Sequence, residues 1–147
     1  MRYYEDFTVG DSWEFGPHEM TEAEMVEFAE RYDPQPMHVD PEAARETRYG
    51  GLIASGWHTI AVAMRLLVDG FFADAASMGA TGMDSLQWHE PVRPGDTIYV
   101  SNEIVDTRAS ESRDDRGYVK NRTVGENEDG DAVISWTATN ILARRDG

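Results

Sequence analysis

The sequence predicts an α+β fold, a long central helix wrapped by an antiparallel β-sheet in one domain spanning residues 1–147. Three observations carry this expectation. Between residues 51 and 68 only Arg65 is charged, and a helix apolar on most of its faces is a buried one. After that stretch the hydrophobic period changes from about 3.6 to about 2, the mark of a passage from helix to strands. The same stretch is also interrupted by Gly, Ser, His and Thr, too polar for a bilayer, so the rest of the chain has to cover it.

The elements follow in order. Residues 13–18 read as a short strand. Thr21-Glu22-Ala23-Glu24 is a capping box, with Thr21 as N-cap and Glu24 reaching back to it. Met25, Phe28, Ala29 and Tyr32 then fall on one helical face, which Pro34 ends because the residue before a proline avoids helical backbone. Asp40 caps a second, short helix that starts with Pro41. Ser55-Gly56 opens the long helix and Gly70 closes it. Strands are expected at 85–89, 97–106, 117–125 and 132–143. Pro94-Gly95-Asp96 makes a turn, residues 107–117 an exposed hairpin loop, and Asp129-Gly130 a tight hairpin turn. In the last strand Ile134, Trp136, Ala138 and Asn140 share a face. No internal repeat, low-complexity segment or linker interrupts the order.

Composition narrows the function. The 147 residues carry 28 Asp and Glu against 13 Lys and Arg, a net charge of −15, which argues against a nucleic-acid binder. With 40% hydrophobic and 10% aromatic residues the chain has enough apolar surface to fold. The absence of cysteine excludes a disulfide scaffold, a thiolate nucleophile and Cys-ligated metal sites. The first ten residues hold Arg2, Glu5 and Asp6 and no apolar run, so no signal peptide is expected and the cytoplasm is the expected location. Lys120 is the one lysine beside twelve arginines, and such an acidic, lysine-poor surface reads as adaptation to molar salt, the alternative being a merely acidic mesophile protein.

The chemistry concentrates in Asp33-Pro34-Gln35-Pro36-Met37-His38-Val39-Asp40. Two prolines fix a short loop between helices, and Asp33 stands at a helix C-terminus, where the dipole is expected to raise its pKa. An aspartate and a histidine at this spacing suit proton transfer to and from water. The spacing alone leaves open that Asp33 caps its turn and that His38 is an ordinary core histidine. Asp40 is explained by its capping position, and His38-Val39-Asp40 lacks a third ligand, so no metal is expected. His58 lines a pocket or packs in the helix; His18 and His89 belong to no constellation; Met64, Leu66 and Leu67 are core.

This segment, with Arg48-Tyr49-Gly50-Gly51-Leu52-Ile53-Ala54-Ser55-Gly56 and Glu90-Pro91-Val92-Arg93-Pro94-Gly95-Asp96, resembles the MaoC-like dehydratases, the (R)-specific enoyl-CoA hydratase group. The family motif is an aspartate, one residue, Asn-Pro, one residue and a histidine, with an acidic residue two further on. Asp33, Pro36, His38 and Asp40 match it; Gln35 stands where asparagine is usual and Ser55 where a histidine often precedes the glycine. The resemblance covers the chain from Phe7 to the last strand and implies the hot-dog fold, matching the architecture above.

It also implies reversible hydration of a trans-2-enoyl-CoA to an (R)-3-hydroxyacyl-CoA. Asp33 and His38 would be catalytic, holding one water, and Gln35, Ser55 and Gly56 would contact the substrate. Backbone N–H groups around Gly56 would polarise the thioester carbonyl. No metal or organic cofactor is implied, coenzyme A entering only with the substrate. The family forms homodimers with acyl pockets at the interface, and no membrane or nucleic-acid partner is expected. For the phosphates of coenzyme A the sequence offers Arg48, Arg93, Arg144 and Arg145 without choosing among them. Two further readings are a hot-dog thioesterase, against which residues 51–68 lack a carboxylate, and a non-catalytic acyl-CoA-binding subunit.

Overall fold

The computed structural model describes residues 1–146. Helix α1 (Glu22–Tyr32), the short α2 (Pro36–Val39) and α3 (Pro41–Arg45) precede the long α4 (Gly56–Gly70). Strand β1 (Ser12–Glu19) comes before them, and β2 (Ser77–Trp88), β3 (Thr97–Ala109), β4 (Arg116–Glu126) and β5 (Ala132–Ala143) follow. They form one antiparallel sheet in the order β1-β3-β4-β5-β2, so the chain crosses from one edge of the sheet to the other through α4. This is the hot-dog arrangement. Among the described residues no helix is long and apolar enough to cross a membrane.

Alternation along the strands builds the core. Ile98 and Val100 of β3 and Val133, Ile134 and Trp136 of β5 pack with Val62, Ala63 and Leu67 of α4. A second cluster gathers Ile104, Val119 and Leu142 with Phe7 and Phe71. Along β3 and β5 the two clusters are separated by Asn102 and Asn140, joined through Asn121 of β4 into a buried polar row.

Capping chemistry holds where the sequence places it. Thr21 Oγ1 accepts from Glu24 N–H, Asp40 Oδ1 from Glu42 and Ala43, and Ser55 Oγ from Trp57. The other half of the first capping box differs. The Glu24 carboxylate turns to the imidazoles of His18 and His58, at 2.7 and 3.1 Å, where part-buried charged bonds are stronger than one to an exposed amide.

Three further expectations change. Residues 33–40 are not all loop, because Pro36, pre-set for a first helical position, starts α2. Strand β2 begins at Ser77 rather than 85; residues 77–84 include two glycines and show no alternation, and they form a strand because β5 offers an edge, through three register irregularities. The hairpin between β3 and β4 is correspondingly tighter, with both strands running further toward the turn than expected. Helix α4 is also not covered all round. Leu67 is 2% exposed as a core residue, but Met64 is 36%, Val68 41% and Trp57 58% exposed, because one sheet can cover only one side of a helix.

Candidate active site

Asp33 is the C-cap of α1, its N–H still bonded to Ala29 O at 2.8 Å while its backbone leaves the helix. The carboxylate is then held from both sides. Oδ1 accepts from Gln35 Nε2 at 2.7 Å, and Oδ2 accepts from Ser55 Oγ at 2.7 Å. His38, buried on α2, sets its Nε2 3.4 Å from Asp33 Oδ2. Its other ring nitrogen, Nδ1, lies 2.9 Å from Ile53 O and donates to it, since a carbonyl oxygen can only accept. Ile53 N–H returns a bond to Met37 O at 3.0 Å, fixing the segment before α4 to α2. Residues 22 apart in sequence, Asp33 and Ser55, thus meet because one backbone bond and the His38 side chain lock α2 to the entry of α4.

The electrostatics of Asp33 run against the helix-dipole expectation. Burial pushes its pKa up, but the bonds from Gln35 and Ser55 and the neighbouring His38 outweigh burial, so the carboxyl lies below the ordinary aspartate range. Two donors at contact distance, with a neighbouring imidazole, outweigh a diffuse partial charge at the end of the helix.

A cavity of about 410 Å³ opens beside this pair, with Asp33, His38, Arg48, Gly56, Trp88 and His89 on its wall. The structure places Gln35 and Ser55 on the Asp33 carboxylate rather than on this wall, Ser55 being wholly buried. Gly56 is on the wall, and its missing side chain is what admits Trp88: a Cβ there would stand 2.5 Å from the indole, whose Nε1–H donates to Gly56 O at 3.0 Å. At the start of α4 the Trp57, His58 and Thr59 amides bond to Ser55, whereas Gly56 N–H has no partner among the described residues.

Several wall residues carry no sequence signal. Trp88 and His89 lie at the end of β2, and His89 Nε2 bonds Ser135 Oγ at 2.8 Å. Only the crossing of the sheet brings them to α4. Arg48 stacks on the Tyr49 ring and donates to its hydroxyl at 2.8 Å, placing a cation at the cavity. Arg144 and Arg145 instead pair with Glu5 and Asp6 near the chain ends. His18 and His58 share Glu24, and His58 stacks against Phe28. Burial holds the pKa of His58 below the ordinary range, against the opposing influence of Glu24.

Residues 6–128 match the model of the MaoC-like domain. Among solved structures, that of the MaoC-like dehydratase from Rhodospirillum rubrum superposes with a TM-score of 0.91 at 40% identity, covering 99% of each chain. The uncharacterised protein YdeM of Bacillus subtilis is 34% identical over 103 residues, 69% of this chain and 72% of that one. The mesaconyl-CoA hydratase of Haloarcula hispanica is 36% identical over 66 residues, 44% of this chain but only 18% of that protein.

Proposed function

The chain belongs to the MaoC-like family of dehydratases, and from that premise we propose that it adds water reversibly across the double bond of a trans-2-enoyl-CoA to give an (R)-3-hydroxyacyl-CoA. One observation carries the reading. His38 gives its Nδ1 proton to Ile53 O, so in the neutral ring Nε2 presents a lone pair, and Asp33 Oδ2 presents another 3.4 Å away. Two acceptors facing each other call for a group that donates to both, and water is the donor this reaction consumes.

From that position the hydroxyl of water attacks the β-carbon while His38 Nε2 takes the proton, and Asp33, kept anionic by Gln35 and Ser55, stabilises the imidazolium. Electrons move through the former double bond onto the thioester oxygen, where the Gly56 N–H at the start of α4 is the available donor. The imidazolium then returns its proton to the α-carbon. Hydroxyl and hydrogen enter from one side, and no cofactor is consumed. Arg48 is the cation on the cavity wall that suits a phosphate of coenzyme A.

The same reading takes the protein as a homodimer. Strand β2 is an edge strand exposed along almost its whole length, and Met78, Met83 and Trp88 on it lie in the open like Trp57, Met64 and Val68 of α4. A second copy pairing along β2 would cover both. The acidic, lysine-poor composition supports working in concentrated salt.

Loss of the enoyl-thioester absorbance of crotonyl-CoA in molar KCl tests the reaction. Rapid loss is expected from the wild type, with rates falling about a hundredfold or more in Asp33→Asn and in His38→Gln. Folded wild type that spares crotonyl-CoA and mesaconyl-CoA but releases free thiol from saturated acyl-CoA would establish a thioesterase instead.

A further inference from the structure

A second cavity, of about 280 Å³, lies between α4, β2 and the sheet, apart from the Asp33–His38 pair. Met64, Leu67, Phe72, Met83 and Trp136 give it apolar walls, but part of its surface is the polar row. Asn140 Nδ2 donates to Asn121 Oδ1 at 3.0 Å, and Asn121 Nδ2 donates to Asn102 Oδ1 at 3.1 Å. Thr123 Oγ1 adds a bond to the same Asn102 oxygen at 3.4 Å. The relay runs in one direction and ends at Asn102 Nδ2, a donor on a side chain 1% exposed, with no partner among the described residues.

Packing gives no reason for this row. The neighbouring inward positions of the same strands hold Val100, Ile104, Val119 and Leu142, and apolar residues would satisfy the core without leaving a buried donor unmade, which costs about 1–3 kcal/mol. The two cavities share α4 and β5 as walls. Thr59 of α4 and Val133 of β5 line the first, and Leu67 and Trp136 of the same elements line the second. The helical rise carries Met64 about 12 Å beyond Gly56, a distance a medium-length acyl chain spans.

Resting on the enoyl-thioester reading, we propose that the second cavity receives the far end of the acyl group and that Asn102 donates a hydrogen bond to a neutral oxygen carried there, a hydroxyl or a ketone. A terminal carboxylate is the wrong ligand. None of the residues lining the cavity is Lys or Arg, and a buried anion without a counter-charge costs far more than a hydrogen bond returns. An unsubstituted alkyl end fills the volume but leaves the amide unsatisfied. The substrate class is therefore an oxygenated enoyl-CoA, not a plain fatty or dicarboxylic one.

The test compares kcat/KM for oct-2-enoyl-CoA and its ω-hydroxy counterpart with the wild type, Asn102→Leu and Asn102→Ser. The wild type is expected to favour the hydroxylated substrate by about tenfold or more. Asn102→Leu is expected to prefer the plain chain, and Asn102→Ser, which keeps a donor on a shorter arm, to retain part of the wild-type preference. Each ratio is taken within one protein, so a reduced folded fraction cancels. Equal values in the wild type, or an unchanged ratio in Asn102→Leu, overturn the proposal. Crotonyl-CoA, too short to reach this cavity, tests the hydratase reading separately. If wild type hydrates none of these thioesters, calorimetric binding of octanoyl-CoA against ω-hydroxyoctanoyl-CoA decides the cavity alone: a preference for the hydroxylated ligand that Asn102→Leu abolishes upholds it, and equal affinities overturn it.

Discussion

Removing the Ser55 hydroxyl breaks two bonds with separable consequences. The first is the donor to Asp33 Oδ2 at 2.7 Å, from a residue with no exposed surface to a carboxylate that is 17% exposed. A hydrogen bond to a charged group is worth about 1.5–3 kcal/mol in place. The second is the acceptor for Trp57 N–H at 3.3 Å, the N-cap of α4, worth about 1 kcal/mol against alanine and only a few tenths against glycine. Ser55→Ala should therefore lose roughly 2.5–4 kcal/mol and lower Tm by about 5–15 °C for a chain of this size. Ser55→Gly should recover most of the capping part and melt several degrees higher than Ser55→Ala.

The pH behaviour should not distinguish the two variants. Burial raises the pKa of Asp33 while Gln35, Ser55 and His38 lower it, so losing the Ser55 contact moves it up. The depressed value means that Asp33 adds stability above the pKa of an unfolded aspartate and loses it as pH falls through the lower folded value. With Ser55 gone that loss of stability begins at higher pH, equally in both variants. Melting followed by circular dichroism, repeated from about pH 2 to 7, measures the two effects. If the acid loss of stability sets in at the same pH in both variants as in the wild type, the account of Asp33 is wrong.

Three other perturbations are informative. Met64→Glu with Val68→Glu should convert the proposed dimer to a monomer in sedimentation velocity with little loss of helical signal, since both side chains are already exposed in the single chain. Gly56→Ala should displace Trp88 and break its bond to Gly56 O, at a cost of about 1–3 kcal/mol in chemical denaturation together with a lower crotonyl-CoA rate; a variant indistinguishable from wild type would show that the indole is free to move. His58 is buried with its pKa held below the unfolded value of about 6.5, facing Glu24 and, through it, His18. As pH falls below about 6.5 the unfolded chain takes up a proton that folded His58 resists, so stability declines by up to about 1.4 kcal/mol per pH unit, and His58→Gln should flatten that decline in urea titrations.

Much of this was written locally. A capping threonine or aspartate, a proline at the first helical position and the Asp33-to-His38 spacing act over a few residues, so the sequence displays them directly. The buried stretch announced α4 and the alternation announced β3, β4 and β5. Strand β2 was half hidden, because its first residues have no pattern of their own and take their conformation from the edge of β5.

What only the tertiary structure decided is which distant groups share a carboxylate. The helix end predicts a more basic Asp33, which instead loses basicity to Gln35 two residues on and to Ser55, the N-cap of another helix. Glu24 was expected to close its own cap and instead joins two imidazoles from other elements. Trp88 and His89 reach the cavity because the chain crosses the whole sheet before β2, and Asn102, Asn121 and Asn140 become a relay only through strand register. Sequence periodicity fixes which face a side chain takes, within one element. Partner identity depends on how elements pack, and in this protein it sets the protonation of the candidate active site.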